Sequence, residues 1–185
     1  MTSIYLVRHA SPDWSRHDLP YHQLPGPPLT PQGEREAEDL GEYLREAGIR
    51  LVLTSPHERC RRTAEIAAGI AGLEVREATG LGEWQPGESE AQVRGRVMPI
   101  LEIAGSGNGD GPELTALVTH GGPIGMLLAD LGLDANAMAH YRKVFDRNNP
   151  VPPAGVWQAV RPAPDAPWEL NLVFMPEEAR KNLVV

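Results

Sequence analysis

Three short apolar runs, each breaking off into charged or imidazole side chains and then into a helix start, constrain this chain more than anything else in it. Ile4–Val7 runs straight into Arg8 and His9. IRLVLTS leads into Pro56 and a basic stretch ending at Arg62. ELTALVTHGGPIGMLLADLG repeats the pattern, with an apolar strand over Thr115–Val118, then His120-Gly121-Gly122 and a Pro-started helix. Apolar runs of this length bounded by turn signals read as buried strands. Their alternation with helices predicts an α/β sandwich with a mainly parallel central sheet flanked by helices.

The intervening segments fit that scheme. Thr30 caps a helix with Pro31 at its first position, and Ala37, Leu40, Leu44 and Ala47 form its apolar stripe before Gly48 closes it. Ser55-Pro56 opens a second helix that runs to about Ala71. Val75–Ala78 reads as a short third strand, Glu90–Ile103 as a helix interrupted near Pro99, and GSGNGDGP as a flexible surface turn. GVWQAV and WELNLVF, joined by RPAPDAP, form a hairpin at a sheet edge, and that exposed edge offers a homodimer contact. The polar, proline-rich SPDWSRHDLPYHQLPGPP is a long loop, of the kind that is usually functional. At 185 residues and 41% apolar content, residues 1–185 fit one domain.

A net charge of −8 argues against a general affinity for nucleic acid or an anionic membrane. One cysteine, Cys60, allows no internal disulfide and no Cys-based zinc site, and it reads as a small buried helix residue. No signal-peptide pattern and no long apolar run occurs, so a cytoplasmic protein is expected.

In open α/β sheets, ligands bind beyond the carboxyl ends of the strands. If the three strand ends adjoin, two histidines and at least one arginine converge there. In an acidic protein such a set is an anion site, with phosphate the expected anion, because guanidinium forks and helix N-termini both suit its oxygens. Taken singly, Arg59, Arg61 and Arg62 would read as a solvated helix face, although Arg59 and Arg62, three apart, share one side.

LVRHA, LTSPHERCRRTA, LGEWQPGE and LVTHGG, with PLTPQGEREAEDLGEYL between the first two, come in the order found in the histidine phosphatase superfamily, which the chain resembles over about residues 4–125. The resemblance implies a three-layer, phosphoglycerate mutase-like fold and phosphoryl transfer through a phosphohistidine. It makes His9 the nucleophile, Arg8 and Arg59 the phosphate-binding arginines, His120 the second histidine, and Glu83 the acid that protonates the leaving oxygen. That acid is expected to have a raised pKa; Glu88, Glu90 and Asp13 are the alternatives. No cofactor and no metal is implied, and no HExxH-like metal pattern occurs.

Where mutases of the family read RHGE or RHGQ and then Trp-Asn, this chain has Ala10, Ser11 and Ser15. That departure favours a phosphomonoester hydrolase acting on a small phosphorylated substrate or a phosphoprotein. A mutase-type phosphotransferase and a non-catalytic phospho-ligand binder are the alternatives. Ser15, Arg62 and His22 are candidate substrate contacts, His17 a weaker one, and His57 is read as a helix cap. Trp14, Tyr21, Trp84 and Tyr141 are expected in ordinary packing, with pocket lining as the alternative.

Overall fold

A computed structural model describes residues 1–106 and 114–181. Six strands form one sheet: β1 (Thr2–Arg8), β2 (Leu51–Thr54), β3 (Glu74–Glu77), β4 (Thr115–Thr119), β5 (Val156–Arg161) and β6 (Glu169–Phe174), in the order β3-β2-β4-β1-β5-β6. β3, β2, β4 and β1 are mutually parallel, whereas β5 is antiparallel to β1 and β6 to β5. The last two strands are the expected hairpin, with β6 on the edge.

The period of two along each strand explains the layers. Ile4 and Leu6 of β1 point into one core, Tyr5 and Val7 into the other. Leu117 faces the first core, while Ala116 and Val118 face the second. Helices α3 (Glu90–Ser106), α4 (Gly121–Asp130) and α5 (Ala135–Val144) cover the first face. On the second lie α1 (Pro31–Glu46) and α2 (Glu58–Ala71), with α6 (Glu177–Lys181) touching α1. Sheet and helices make the three-layer sandwich that the alternation predicts.

Local signals account for most helix limits. The Thr30 hydroxyl accepts from Gly33 N at 2.9 Å, and Gly48, at φ 72°, follows the end of α1. Gly41 lets α1 pack closely on α2, since a Cβ there would lie 2.8 Å from the Ala67 carbonyl. Three expectations change. Helix α2 begins at Glu58, not at Ser55-Pro56. Helix α3 runs unbroken through Pro99: its buried stripe is Val93, Val97, Leu101 and Ala104, and Pro99 and Gly95 lie on the solvent side, where water replaces the lost hydrogen bond. Helix α5 was not foreseen, although Asp134 caps it by accepting from Asn136 N and Ala137 N. Of GSGNGDGP, Gly105 and Ser106 end α3, and the rest lies outside the described residues. No helix among the described residues is long and apolar enough to cross a membrane.

Trp157 is a buried anchor of β5, and its indole N–H donates to the Pro150 carbonyl at 3.0 Å. Trp157→Ala is expected to lower stability by about 3–5 kcal/mol in urea unfolding. Trp157→Phe should cost less, about 1–3 kcal/mol, for the carbonyl left unpaired.

Candidate active site

Strand order brings the chemistry together. β2, β4 and β1 are neighbours, so the residues after each fall side by side. His9 N donates to the Thr119 carbonyl and Ser55 N to the Val118 carbonyl, both at 2.9 Å, which locks these three strand ends in register. His120 precedes the first turn of α4, and Gly121 follows because a Cβ there would run into the Asn149 side chain. The crevice above them, a cavity of about 390 Å³, is lined by Arg8, Tyr21, Glu83, Gly122, Arg147 and Asn149 among others.

Both arginines are buried. Arg8 donates Nη1 and Nη2 to the two Asp146 carboxylate oxygens at 2.5 and 2.9 Å, and Nη1 also to the Val151 carbonyl at 3.0 Å. That commits one fork of the guanidinium and leaves the other uncommitted, since Nε has no partner among the described residues. Arg59 donates Nη1 to the Tyr21 carbonyl at 3.1 Å, and Nη2 to His120 Nδ1 at 3.1 Å and Glu83 Oε2 at 3.4 Å. The Tyr21 ring covers it at 3.9 Å, and its Nε too is unpartnered. Buried N–H groups without partners are rare in native structures and mark where an acceptor belongs.

The tautomers follow from partners that can only donate or only accept. His9 Nδ1 lies 2.8 Å from the Ala10 carbonyl, so Nδ1 carries the hydrogen and Nε2 the lone pair. The Tyr21 hydroxyl sits 3.3 Å from that lone pair; burial pushes its pKa up to about 12, so it remains a donor. A second chain runs inward from the first loop. His57 Nε2 donates to the His22 carbonyl at 3.3 Å, which leaves His57 Nδ1 to accept from Ser55 Oγ at 3.2 Å. Ser55 Oγ then accepts from His120 Nε2 at 2.9 Å, and His120 Nδ1 is free to accept from Arg59. His120 Nδ1 also lies 3.3 Å from Glu83 Oε2, and the nearer guanidinium at 3.1 Å, with Nε2–H on Ser55, favours the lone pair at Nδ1.

All three imidazoles are held neutral. Burial, with Arg59, His120 and Arg8, brings His9 well below its ordinary value. Burial lowers His57 as well, aided by Arg59. For His120, burial with Arg59 and His57 outweighs Glu83 and brings the pKa down to about 4. Glu83 differs from expectation: burial alone would raise it, but His120, the Trp84 N–H and Arg59 together hold it below the carboxylate range. With Arg59 and the Trp84 N–H on its oxygens Glu83 is ionised in the free site, and an anion that draws on Arg59 would raise its proton affinity. His9, Glu83 and His120 bring ligand atoms within 4.8 Å of one another, a donor set able to hold a divalent ion. Arg59 shares the same Glu83 and His120 atoms, which favours an anion in this place over a second cation.

The other candidates scatter. His22 lines the crevice, its Nδ1 donating to the Trp84 carbonyl at 3.0 Å. Ser15 is exposed and donates to Asp13 Oδ1, away from the crevice, and Asp13 is thereby held below its ordinary pKa. Arg62 is exposed and paired with Glu34 at 2.8 Å, because α2 turns it away from Arg59. Glu88 binds Arg96 and Glu90 binds Arg94, so neither replaces Glu83. His17 is exposed. His57 occupies the N-cap position of α2 but makes no cap bond. Cys60 is buried, its thiol pushed up to about 12 by burial. Trp14, Tyr21 and Trp84 line the crevice, whereas Tyr141 packs on Trp157. Asp146, Arg147 and Asn149 were missed, as was Arg96, whose guanidinium holds the Gly80, Gly82 and Glu83 carbonyls.

A model of the histidine phosphatase superfamily, branch 1, matches residues 4–90, which include His9, Arg59 and Glu83. Over that stretch the chain is similar to the histidine phosphatase superfamily. It is 34% identical over 102 residues to the Bacillus subtilis protein named uncharacterized phosphatase PhoE, covering 55% of this chain and 49% of that protein. It is 43% identical over 75 residues to a Klebsiella pneumoniae protein named probable phosphoglycerate mutase GpmB, covering 40% and 34%. The matches thus span half or less of these curated relatives. In fold it resembles a mycobacterial glucosyl-3-phosphoglycerate phosphatase (TM-score 0.70, 23% identity, covering 93% of this chain and 98% of that one). It also resembles a phosphoserine phosphatase of Entamoeba histolytica solved with 3-phosphoglyceric acid (TM-score 0.71, 17% identity, full coverage of both).

The hydrogen-bond chain makes His57 a positioning residue for His120. His57→Phe is expected to lower kcat several-fold and alter the pH profile, while His57→Gln, which can still accept from Ser55 and donate to the His22 carbonyl, retains most activity. The buried imidazoles also set a stability trend. Their folded pKa values lie below the ordinary 6.5, so the unfolded chain binds more protons as pH falls. Tm should hold above pH 6.5 and fall by several degrees between there and about pH 4 in thermal unfolding.

Proposed function

We propose that the protein hydrolyses phosphomonoesters through a phosphohistidine on His9 Nε2. The observation that carries this reading is the His9 imidazole itself: buried among cations, neutral, with Nδ1–H fixed on the Ala10 carbonyl and Nε2 behind the hydroxyl of Tyr21, which lines the crevice.

The Nε2 lone pair attacks phosphorus, and the bond to the leaving oxygen breaks. Arg8, Arg59 and His120 surround the transferring group, where positioning and fixed charge supply most of the rate. The substrate dianion offsets the cations that hold Glu83 ionised, so Glu83 takes up a proton as substrate binds and passes it to the leaving oxygen. A monoanionic phosphate ester, with a second pKa near ~6, carries that proton in. Water then attacks the phosphohistidine and gives a proton to the Glu83 carboxylate. The P–N bond breaks, releasing phosphate and neutral His9.

Ser11 supports hydrolysis over mutase chemistry. It stands where mutases of the family carry an acid, and its N and Oγ both donate to Glu36 at 2.8 Å, tying it to α1.

The protein is expected to hydrolyse p-nitrophenyl phosphate in the presence of EDTA, with kcat/KM declining above about pH 6. His9→Ala should abolish turnover. Unchanged turnover in that variant, or strict dependence on a divalent cation, overturns the mechanism. With 3-phosphoglycerate, formation of 2-phosphoglycerate without free phosphate would replace hydrolysis by a mutase reaction.

A further inference from the structure

Beyond the phosphate seat, the crevice holds one cation that the reaction leaves unused. Arg147 lines the crevice and also the adjoining cavity of about 450 Å³. Its guanidinium lies 3.5 Å from the centre of the Trp14 ring. It makes no ion pair or hydrogen bond through its side chain among the described residues. Trp14 in turn stacks on Tyr21 at 4.6 Å, and Tyr21 covers Arg59 at 3.9 Å, so Arg147 stands at the outer end of a ladder whose inner end is the phosphate seat.

Its backbone is held in place at a cost. Arg147 and Asn148 have φ values of 50° and 58°, in the left-handed region that non-glycine residues avoid. The preceding Asp146 is clamped to Arg8 through both carboxylate oxygens, and the Asn149 side-chain amide donates to the Asp146 and Arg147 carbonyls. The strained turn is thus tied to the phosphate-binding arginine.

The carboxylates near Arg147 are engaged elsewhere. Of the crevice-lining residues, Glu83 belongs to Arg59 and His120. Asp146, which lines the adjoining cavity, belongs to Arg8. In the adjoining cavity Glu36 accepts from Ser11 and Gln32, and Glu178 lies 3.9 Å from Lys181. An unpaired guanidinium at the mouth of a site, in a protein of net charge −8, favours an anion from outside.

We propose that Arg147 reads the leaving group, selecting phosphomonoesters that carry a second anionic group a few bonds from the phosphate. This rests on the crevice being a phosphomonoester site. A carboxylate and a second phosphate satisfy the same fork, and the probes separate them.

The test is calorimetric titration of the full chain carrying His9→Ala, which cannot form the phosphoenzyme. The probes are 3-phosphoglycerate, propane-1,3-diol bisphosphate and glycerol 3-phosphate; the last matches the first with a hydroxymethyl in place of the carboxylate. One or both acidic probes should bind about 10- to 100-fold more tightly than glycerol 3-phosphate, the range of one charge-assisted hydrogen bond. Arg147→Gln in the same background should bring the ratio to within about threefold, and Arg147→Lys should keep part of it. The kcat/KM ratio of the enzyme with His9 intact repeats the measurement if His9→Ala weakens the fold. Equal binding of all three probes, or a ratio unmoved by Arg147→Gln, overturns the inference and leaves the phosphatase reading standing. Failure of all three to bind overturns both.

Discussion

The arrangement of the site depends on one buried cation. Arg59 is fully buried, and a guanidinium taken out of water is tolerated only where its donors and charge find partners. Here the partners come from separate parts of the chain. The first loop supplies the Tyr21 carbonyl and ring, the segment after β3 supplies Glu83, and the end of β4 supplies His120. Each group is held in place because the same cation requires it there. The His120 tautomer is fixed by Arg59 from one side and by Ser55 and His57 from the other.

The second arginine is treated differently. Arg8 is buried at the end of β1, yet its charge is balanced by Asp146, a residue 41% exposed on the far side of the sequence. An exposed carboxylate on a buried guanidinium fixes orientation while remaining reachable by water. The candidate site therefore combines one cation paired with Glu83, beside the buried histidines, and one paired with Asp146 outside them. That difference matters for Glu83. Its ionisation is tied to Arg59 and His120, so a phosphoryl dianion that draws on those two groups also changes the proton affinity of the carboxylate.

The strands and the strand-end chemistry were legible because both follow short-range rules. Apolar runs of four or five residues in Ile4–Val7 and Thr115–Val118 admit no other reading once helices alternate with them, and residues at strand ends must fall at one edge of a parallel sheet. His9, Arg59, His120 and Glu83 meet because β4 inserts between β2 and β1. Arg62 failed because the three-residue spacing that seemed to pair it with Arg59 places it 44% exposed against Glu34, on the flank of α2. Pro99 misled because a proline ring on the solvent face of a helix leaves the buried stripe intact. Asp146, 138 positions from the Arg8 it holds, and Arg147 beside it lie in a turn with no apolar period to announce it. Their importance appears only once the fold closes the distance.

The first loop is where function and fold are hardest to separate. It is fixed to the site by its backbone: the Tyr21 carbonyl on Arg59, the His22 carbonyl on His57, and the Pro25 carbonyl on Glu58 N. The Tyr21 hydroxyl, by contrast, reaches His9 through a side chain alone. In the proposed reaction, attack on phosphorus would require that nitrogen's lone pair, so the hydroxyl would give it up while the backbone stays bound. A swing of the Tyr21 side chain about its Cα–Cβ bond would carry the hydroxyl off while leaving those anchors in place. Because Trp14 stacks on that ring and Arg147 on Trp14, a ring that turns disturbs the whole ladder. In the proposed reaction, freeing the His9 lone pair and moving the outer guanidinium would therefore be coupled through these contacts.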